Sequence, residues 1–257
     1  SEQLITSSPK LIVVDDFGAQ GSDVLEDLLR LQQQGSTVLP RLSWCESVLQ
    51  RFPPAFLADA DLLRGDFSVR SGTLQSRLKR SGDFAVAGFL LLITSPLLLI
   101  SALLIKLGDR GPVFYSQIRT GLGGQPYRIW KLRSMRIDAE KKGAQWSTRS
   151  DSRITKIGAI LRKTRLDELP QLWCVINGTM SLIGARPERP EFDKELERVI
   201  PNYSLRHSMR PGLSGWAQVN YPYGASIEDA ANKLSYDLYY LRHFSFWLDL
   251  LILFKTI

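Results

Sequence analysis

The sequence predicts a mixed α/β chain of the α+β kind. A small strand-and-helix unit comes first, then a helical hairpin embedded in one membrane leaflet, then a helix-rich basic half. Three observations predict this. Apolar runs and helical stripes alternate between residues 11 and 51, residues 84–105 carry no charge, and helical periodicity returns after residue 153.

In chain order, Leu11–Asp15 reads as a short buried strand. Asp23–Gln34 reads as a helix with an apolar stripe of Val24, Leu25, Leu28, Leu29 and Leu31. Val38-Leu39 suggests a second strand ended by Pro40, and Ser43–Arg51 a second helix capped by Ser43. Strand-helix-strand-helix is half of a doubly wound unit, so residues 1–60 read as a partial Rossmann-like accessory domain. No G-x-G-x-x-G follows the first strand, so there is no dinucleotide fingerprint. Residues 61–78 read as a linker, and 79–257 as the main domain.

Phe84–Ile105 is 22 residues long. As a helix it would reach about 33 Å, enough to cross a bilayer. Ser95-Pro96 stands at its centre, where proline removes a backbone donor and crowds the preceding turn. Both flanks are basic, with Arg77, Lys79 and Arg80 before and Lys106 and Arg110 after, so both ends favour the cytoplasmic side. A re-entrant helix-break-helix over about residues 82–106 satisfies both facts. It makes the domain monotopic, with the Ser95 hydroxyl serving a freed backbone group. A kinked span and a buried core helix are the alternatives. Beyond it, Gly111-Pro112, Gly121 and Gly123-Gly124 punctuate strands at Val113–Gln117 and Tyr127–Lys131. Helical patterns follow at Lys156–Thr164, Glu168–Ile176 and Glu191–Val199. Phe244–Ile257 reads as an interfacial helix or as one packed on the core.

The net charge is +7, and residues 1–80 hold nine Lys/Arg against ten Asp/Glu, so the basic excess lies after residue 80. Such a field attracts phosphates, anionic lipid or nucleic acid. The uncharged segment argues against a nucleic-acid-binding protein, and Tyr221–Tyr223 reads as loop packing or ligand contact rather than base stacking. Cys45 and Cys174 cannot form a disulfide framework, and with only His207 and His243 a zinc site is not expected. The chain opens in mid-pattern and stops on an apolar stretch, which reads as a piece of something longer.

Asp167 and Glu168 follow a basic run containing Arg162, Lys163 and Arg165. Pro170 suits a first helical turn, which makes Asp167 the expected N-cap, at a positive helix end that would help keep it ionised. An ionised carboxylate can attack phosphorus, its neighbour can hold Mg²⁺, and arginines suit phosphate. A capped, salt-bridged surface helix has the same residues.

From about Lys79 to its end the chain resembles the monotopic polyprenyl-phosphate phosphoglycosyl transferases, bacterial enzymes that start exopolysaccharide, capsule and O-antigen assembly. The ordered matches are KRSGD at 79–83, SP at 95–96, GPVFYSQIRTG at 111–121 and KLRSM at 131–135. They continue with DSRITKIGAILRKTRLDELPQLW at 151–173, MSLIGARPERPEF at 180–192, RPGLSGWAQVNYPYG at 210–224 and KLSYDLYYL at 233–241. The N-terminal piece resembles the extra domain of the larger members, which also carry transmembrane helices upstream.

The resemblance implies that Asp167 attacks a UDP-sugar, expels UMP and carries the phosphosugar until undecaprenyl (polyprenyl) phosphate collects it. It implies Mg²⁺ on Glu168, phosphate binding by Lys131, Arg162 and Arg186, and a membrane break at Ser95 and Pro96. It further implies the bacterial cytoplasmic (inner) membrane with the catalytic domain facing the cytoplasm, membrane lipid as partner, and a homodimer. Two positions depart from the family. Ala185 stands where proline is usual, which should loosen the loop aiming Arg186, and Cys174 stands where asparagine is usual. A non-catalytic nucleotide-sugar-binding or regulatory protein of polysaccharide export is the alternative; the intact Asp167, Glu168 and Lys131 argue against it. No motif reads the sugar hydroxyls.

Overall fold

The structure, a computed structural model, describes residues 10–15, 21–64, 67, 73–139, 151–222, 224 and 226–256. Parts of the expected accessory domain (1–9, 16–20) and linker (65, 66, 68–72), together with Tyr223 and Ile257, lie outside the described residues.

Strand β1 (Leu11–Val14), helix α1 (Ser22–Gln33) and strand β2 (Thr37–Pro40) form a parallel β-α-β unit in which Leu11 pairs with Thr37 and Val14 with Pro40. The Ser43-capped helix is corrected. Pro40, with φ −58, starts α2 (Arg41–Trp44) immediately, and the chain continues as a π-turn over Cys45–Leu49. Ser43 is thus inside the helix, its carbonyl accepting from the Ser47 hydroxyl. After α3 (Asp59–Arg64) comes the long helix α4 (Leu74–Asp109), capped by Thr73, whose side chain accepts from the Ser76 amide. Residues 74–78, expected in the linker, are its first turn. Phe52 and Phe67 are buried, the Phe52 amide donates to the Ser235 carbonyl, and the Trp216 indole donates to the Gln50 carbonyl.

The expected break within α4 is corrected as well: the helix runs on through Pro96. Proline cannot serve the carbonyl four residues back, and the Ser95 hydroxyl donates to that carbonyl, Leu92 O, at 2.8 Å. Only 11% of the most apolar window of α4 is buried, which removes the reading of a buried core helix. Its first turns are anchored in protein. Arg80 donates to the Val175 and Ile176 carbonyls at the end of α6 (Leu172–Ile176). Buried Asp83 accepts from the Ser181 hydroxyl (2.8 Å) and the Leu182 amide (3.2 Å) of β5 (Ser181–Ile183).

The antiparallel hairpin β3 (Phe114–Thr120) and β4 (Pro126–Leu132) sets Tyr115 opposite Lys131. Then follow α5 (Lys156–Lys163), a 3₁₀ turn (Leu166–Gln171), α6, β5, and α7 (Pro190–Val199). A second 3₁₀ turn (Tyr203–Ser208) precedes β6 (Gly212–Ser214), which is parallel to β5, and then α8 (Trp216–Asn220). Helix α9 (Ile227–His243) puts Leu234, Leu238 and Leu241 into the main core with Phe52, Leu172, Val175, Met180 and Ile183. Helix α10 (Phe246–Thr256) has two faces. Ile252 is fully buried and Asp249 meets Lys79 at 2.7 Å, while Phe246, Trp247 and Phe254 are exposed.

Replacing Asp83 with Ala would leave the Leu182 amide without its acceptor deep in the fold. The expected loss is about 1–3 kcal/mol, read as a lower Tm, at roughly 2–4 °C per kcal/mol for a chain of this size.

Candidate active site

Three segments that are distant in sequence converge on one carboxylate. Lys131, near the end of β4, donates to Glu168 Oε1 at 2.8 Å, and Arg186 donates to the same oxygen at 2.7 Å. Arg165 stands 4.0 Å from Oε2. Burial pushes the Glu168 carboxyl up, but Arg186 and Lys131 outweigh it and hold it well below the usual carboxylate range.

The turn that presents the acidic pair is set by packing beneath it. Thr155 caps α5 by accepting from the Gly158 amide at 2.9 Å. Gly158 lies against Ser134, and a Cβ there would stand 1.9 Å from the Ser134 carbonyl, so α5 approaches the end of β4 only because this residue is glycine. The expectation that Asp167 caps a helix is corrected. Arg165, in the left-handed region at φ 57, takes the cap position, and the Glu168 amide donates back to the Arg165 carbonyl at 3.2 Å. Asp167 is the second residue of the 3₁₀ turn, with Pro170 further inside it.

The expected sign of the field at Asp167 is corrected too. Its carboxyl is pushed up, first by burial and then by Glu168; Lys131 and Arg162 pull it down less strongly. Asp167 is 6% exposed, and its Oδ1 has no hydrogen-bond partner among the described residues. Arg162 joins the site as an electrostatic neighbour. Lys131, burdened by its own burial, is pulled below the usual amine range.

The loop carrying Arg186 is held at four consecutive carbonyls, each by a donor from elsewhere. Gly212 N donates to Ala185 O (2.8 Å), Arg206 to Arg186 O (2.8 Å), Arg119 to Pro187 O (3.0 Å) and Thr120 N to Glu188 O (3.0 Å). Of these donors, Arg119 and Arg206 were missed by the sequence reading, which expected Ala185 to loosen the loop. Buried Cys174 contacts the Arg128 carbonyl at 3.6 Å. Ser95 and Pro96 belong to the exposed part of α4 and not to this cluster.

Among the described residues no group of three or more His, Cys, Asp and Glu is placed to hold a metal ion by itself. Two adjacent carboxylates are present, one with an orphaned buried oxygen and one with a single oxygen engaged by its cations. That donor set fits a hard divalent cation that takes most of its oxygens from a bound anion and water, as Mg²⁺ does.

Residues 74–257 match the family described as bacterial sugar transferase. A UDP-N-acetylgalactosamine-undecaprenyl-phosphate N-acetylgalactosaminephosphotransferase of Aeromonas hydrophila is 48% identical over 190 residues, 74% of this chain and 45% of the relative. A UDP-glucose:undecaprenyl-phosphate glucose-1-phosphate transferase of Escherichia coli K12 is 41% identical over 182 residues, 70% of this chain and 39% of the relative. The exopolysaccharide production protein PSS of Rhizobium leguminosarum bv. phaseoli is 40% identical over 186 residues, 70% of this chain and 93% of the relative. The chain thus spans less than half the length of the first two.

Replacing Glu168 with Gln would remove the negative neighbour of Asp167 and release Lys131 toward it. Both changes favour the ionised form, so the Asp167 carboxyl should titrate at lower pH than in the wild type. The ¹³C carboxyl shift of labelled aspartate, followed against pH, reads this directly.

Proposed function

The chain belongs to the bacterial sugar transferase family, and on that premise we propose that it transfers a sugar-1-phosphate from a UDP-sugar to undecaprenyl phosphate. The observation that carries the proposal is the buried Asp167, its Oδ1 without a hydrogen-bond partner among the described residues, beside a Glu168 that gathers Lys131 and Arg186. An acceptor oxygen sequestered from water and surrounded by phosphate-seeking cations is what a carboxylate nucleophile needs.

In the proposed reaction an Asp167 oxygen attacks the phosphorus next to the sugar. The bond from that phosphorus to the oxygen bridging the diphosphate breaks, and UMP leaves with the bonding pair. The phosphosugar is then held as an acyl-phosphate. A phosphate oxygen of the polyprenyl carrier attacks the same phosphorus, the acyl–phosphate bond breaks, and Asp167 returns as a carboxylate. Lys131 and Arg186 orient the diphosphate and balance charge as it develops, and Arg162 adds to the field. Mg²⁺ held by Glu168 and Asp167 would supply Lewis-acid neutralisation of the departing phosphate. Because only the ionised form attacks, an Asp167 carboxyl pushed up by burial should shift the acid limb of activity to higher pH than an exposed aspartate would give.

We read α4 as the membrane anchor. The exposed apolar face of α4 and the exposed Phe246, Trp247 and Phe254 of α10 support a domain seated on the cytoplasmic face of the bacterial inner membrane. The basic flanks of α4 support both of its ends lying on the cytoplasmic side, which would keep Asp167 beside the lipid phosphate and would require the continuous helix to bend at Pro96 without breaking; a homodimer belongs to the same proposal. The parallel β1-α1-β2 unit supports its reading as part of a Rossmann-like accessory domain. The relatives' names divide between N-acetylgalactosamine and glucose, so the sugar is left open. The regulatory alternative accounts for the arginines but gives no role to the orphaned Asp167 oxygen.

Asp167→Asn should abolish UMP release from UDP-sugars in the presence of polyprenyl phosphate and Mg²⁺, without loss of the folded state. UMP release at the wild-type rate would remove the nucleophile assignment. Cysteines placed before and after α4 should both be labelled from the cytoplasmic side alone; one labelled from each side would end the hairpin topology.

A further inference from the structure

Arg206 is a deeply buried cation. Only 8% of it is exposed, and it sits in the 3₁₀ turn Tyr203–Ser208, away from Asp167 in sequence and carried by a different element. One arm approaches the Tyr203 hydroxyl at 2.5 Å and Asp193 of α7 at 4.0 Å. The other arm reaches the Arg186 carbonyl at 2.8 Å and Asp237 of α9 at 3.2 Å. Asp193, Asp237 and Tyr203 are all buried. Burying such a group is a poor way to gain stability, since desolvation offsets most of the Coulombic attraction. What a buried guanidinium does supply is direction: a planar fork whose donors are fixed relative to one another.

We propose that Arg206 is a positioning residue for transfer, locking the carbonyl of Arg186 to α7 and α9 so that the Arg186 side chain is held on Glu168 over the reacting phosphate; this rests on the function proposed above. The observations converge on that role. Arg186 has one end of its residue on Arg206 and the other on Glu168. The preceding residue is Ala185, whose backbone has more freedom to lose than a proline's would, so it depends on an external clamp. Asp193 and Asp237 hold Arg206 from two separate helices, and Tyr203 donates to Asp193 at 3.1 Å, so the clamp is referenced to the core rather than to the loop.

The test uses the full chain in lipid nanodiscs. Arg206→Lys keeps the buried charge but cannot bridge all its partners. It should lower the rate of UMP release by about 10- to 100-fold, the cost of a misplaced charge, and it should raise amide exchange in a peptide covering residues 184–189. In an Arg186→Ala background the same change should cost almost nothing more, because the residue it positions is gone. Arg206→Lys combined with Ala185→Pro should regain part of both the rate and the protection, a rescue that a purely structural role would not show. If Arg206→Lys does not fold, Tyr203→Phe, which keeps every charge, should give the same effects at smaller size. Unchanged exchange at 184–189, an undiminished loss in the Arg186→Ala background, or a wild-type rate in folded Arg206→Lys each overturns the proposal. A wild-type chain that releases no UMP from any UDP-sugar contradicts the proposed function instead, and the exchange comparison then still decides whether Arg206 holds the loop.

Discussion

A single carboxylate oxygen, Glu168 Oε1, is claimed by two cations, and most of the site's architecture can be traced to that competition. Lys131 arrives on the β3–β4 hairpin, Arg186 on the loop after β5, and Glu168 on the turn between α5 and α6. With the Glu168 side chain 15% exposed and Lys131 20% exposed, removing Lys131 would leave the carboxylate poorly compensated, whereas Arg186, 40% exposed, is screened by solvent and contributes less. The pairing therefore fixes three elements against one another. It also leaves the neighbouring Asp167 in the same low-dielectric space with an oxygen that no described residue satisfies. Stability concentrated on Glu168 and an unsatisfied group at Asp167 are two consequences of one arrangement.

Helix α4 is coupled to this arrangement through its first turns. Asp83 holds β5 at Ser181 and Leu182, and β5 runs directly into Gly184, Ala185 and Arg186. Lys79 holds α10 through Asp249, and Arg80 closes the end of α6, which begins where the acidic turn stops. Three anchors, Lys79, Arg80 and Asp83, thus tie the start of α4 to α10, to the helix that follows the turn carrying Asp167 and to the strand that leads into Arg186. Seating α4 in lipid would orient the whole site relative to the bilayer surface.

Much of this was legible in the sequence where the signal is local. Pro40, Gly121 and Gly123-Gly124 punctuate the strands, and the apolar stripe of α1 and the uncharged run of α4 need only periodicity and length. The acidic pair with Lys131 and Arg186 was legible through motif resemblance. What was not legible depends on distant partners. That Arg165 adopts φ 57 and displaces Asp167 from the cap follows from how α5 meets the hairpin at Gly158. The upward push on Asp167 comes from burial under packed neighbours, which no spacing encodes. The four carbonyl clamps on 185–188 come from residues 119, 120, 206 and 212, so they exist only once the chain has folded. Helix α9 had a local signal that was passed over: Ser226 and Asp229 form a capping box, and Leu234, Leu238 and Leu241 follow at helical spacing.

The central claim is that a phosphosugar resides on Asp167 between donor and carrier. Intact-protein mass spectrometry tests it most directly, after the chain is incubated with a UDP-sugar and Mg²⁺ without lipid and then rapidly quenched in acid. The account predicts a mass gain of one sugar phosphate, fragment ions that place it on Asp167, and its disappearance on addition of polyprenyl phosphate. No adduct under conditions that support full transfer, or an adduct on another residue, would contradict it.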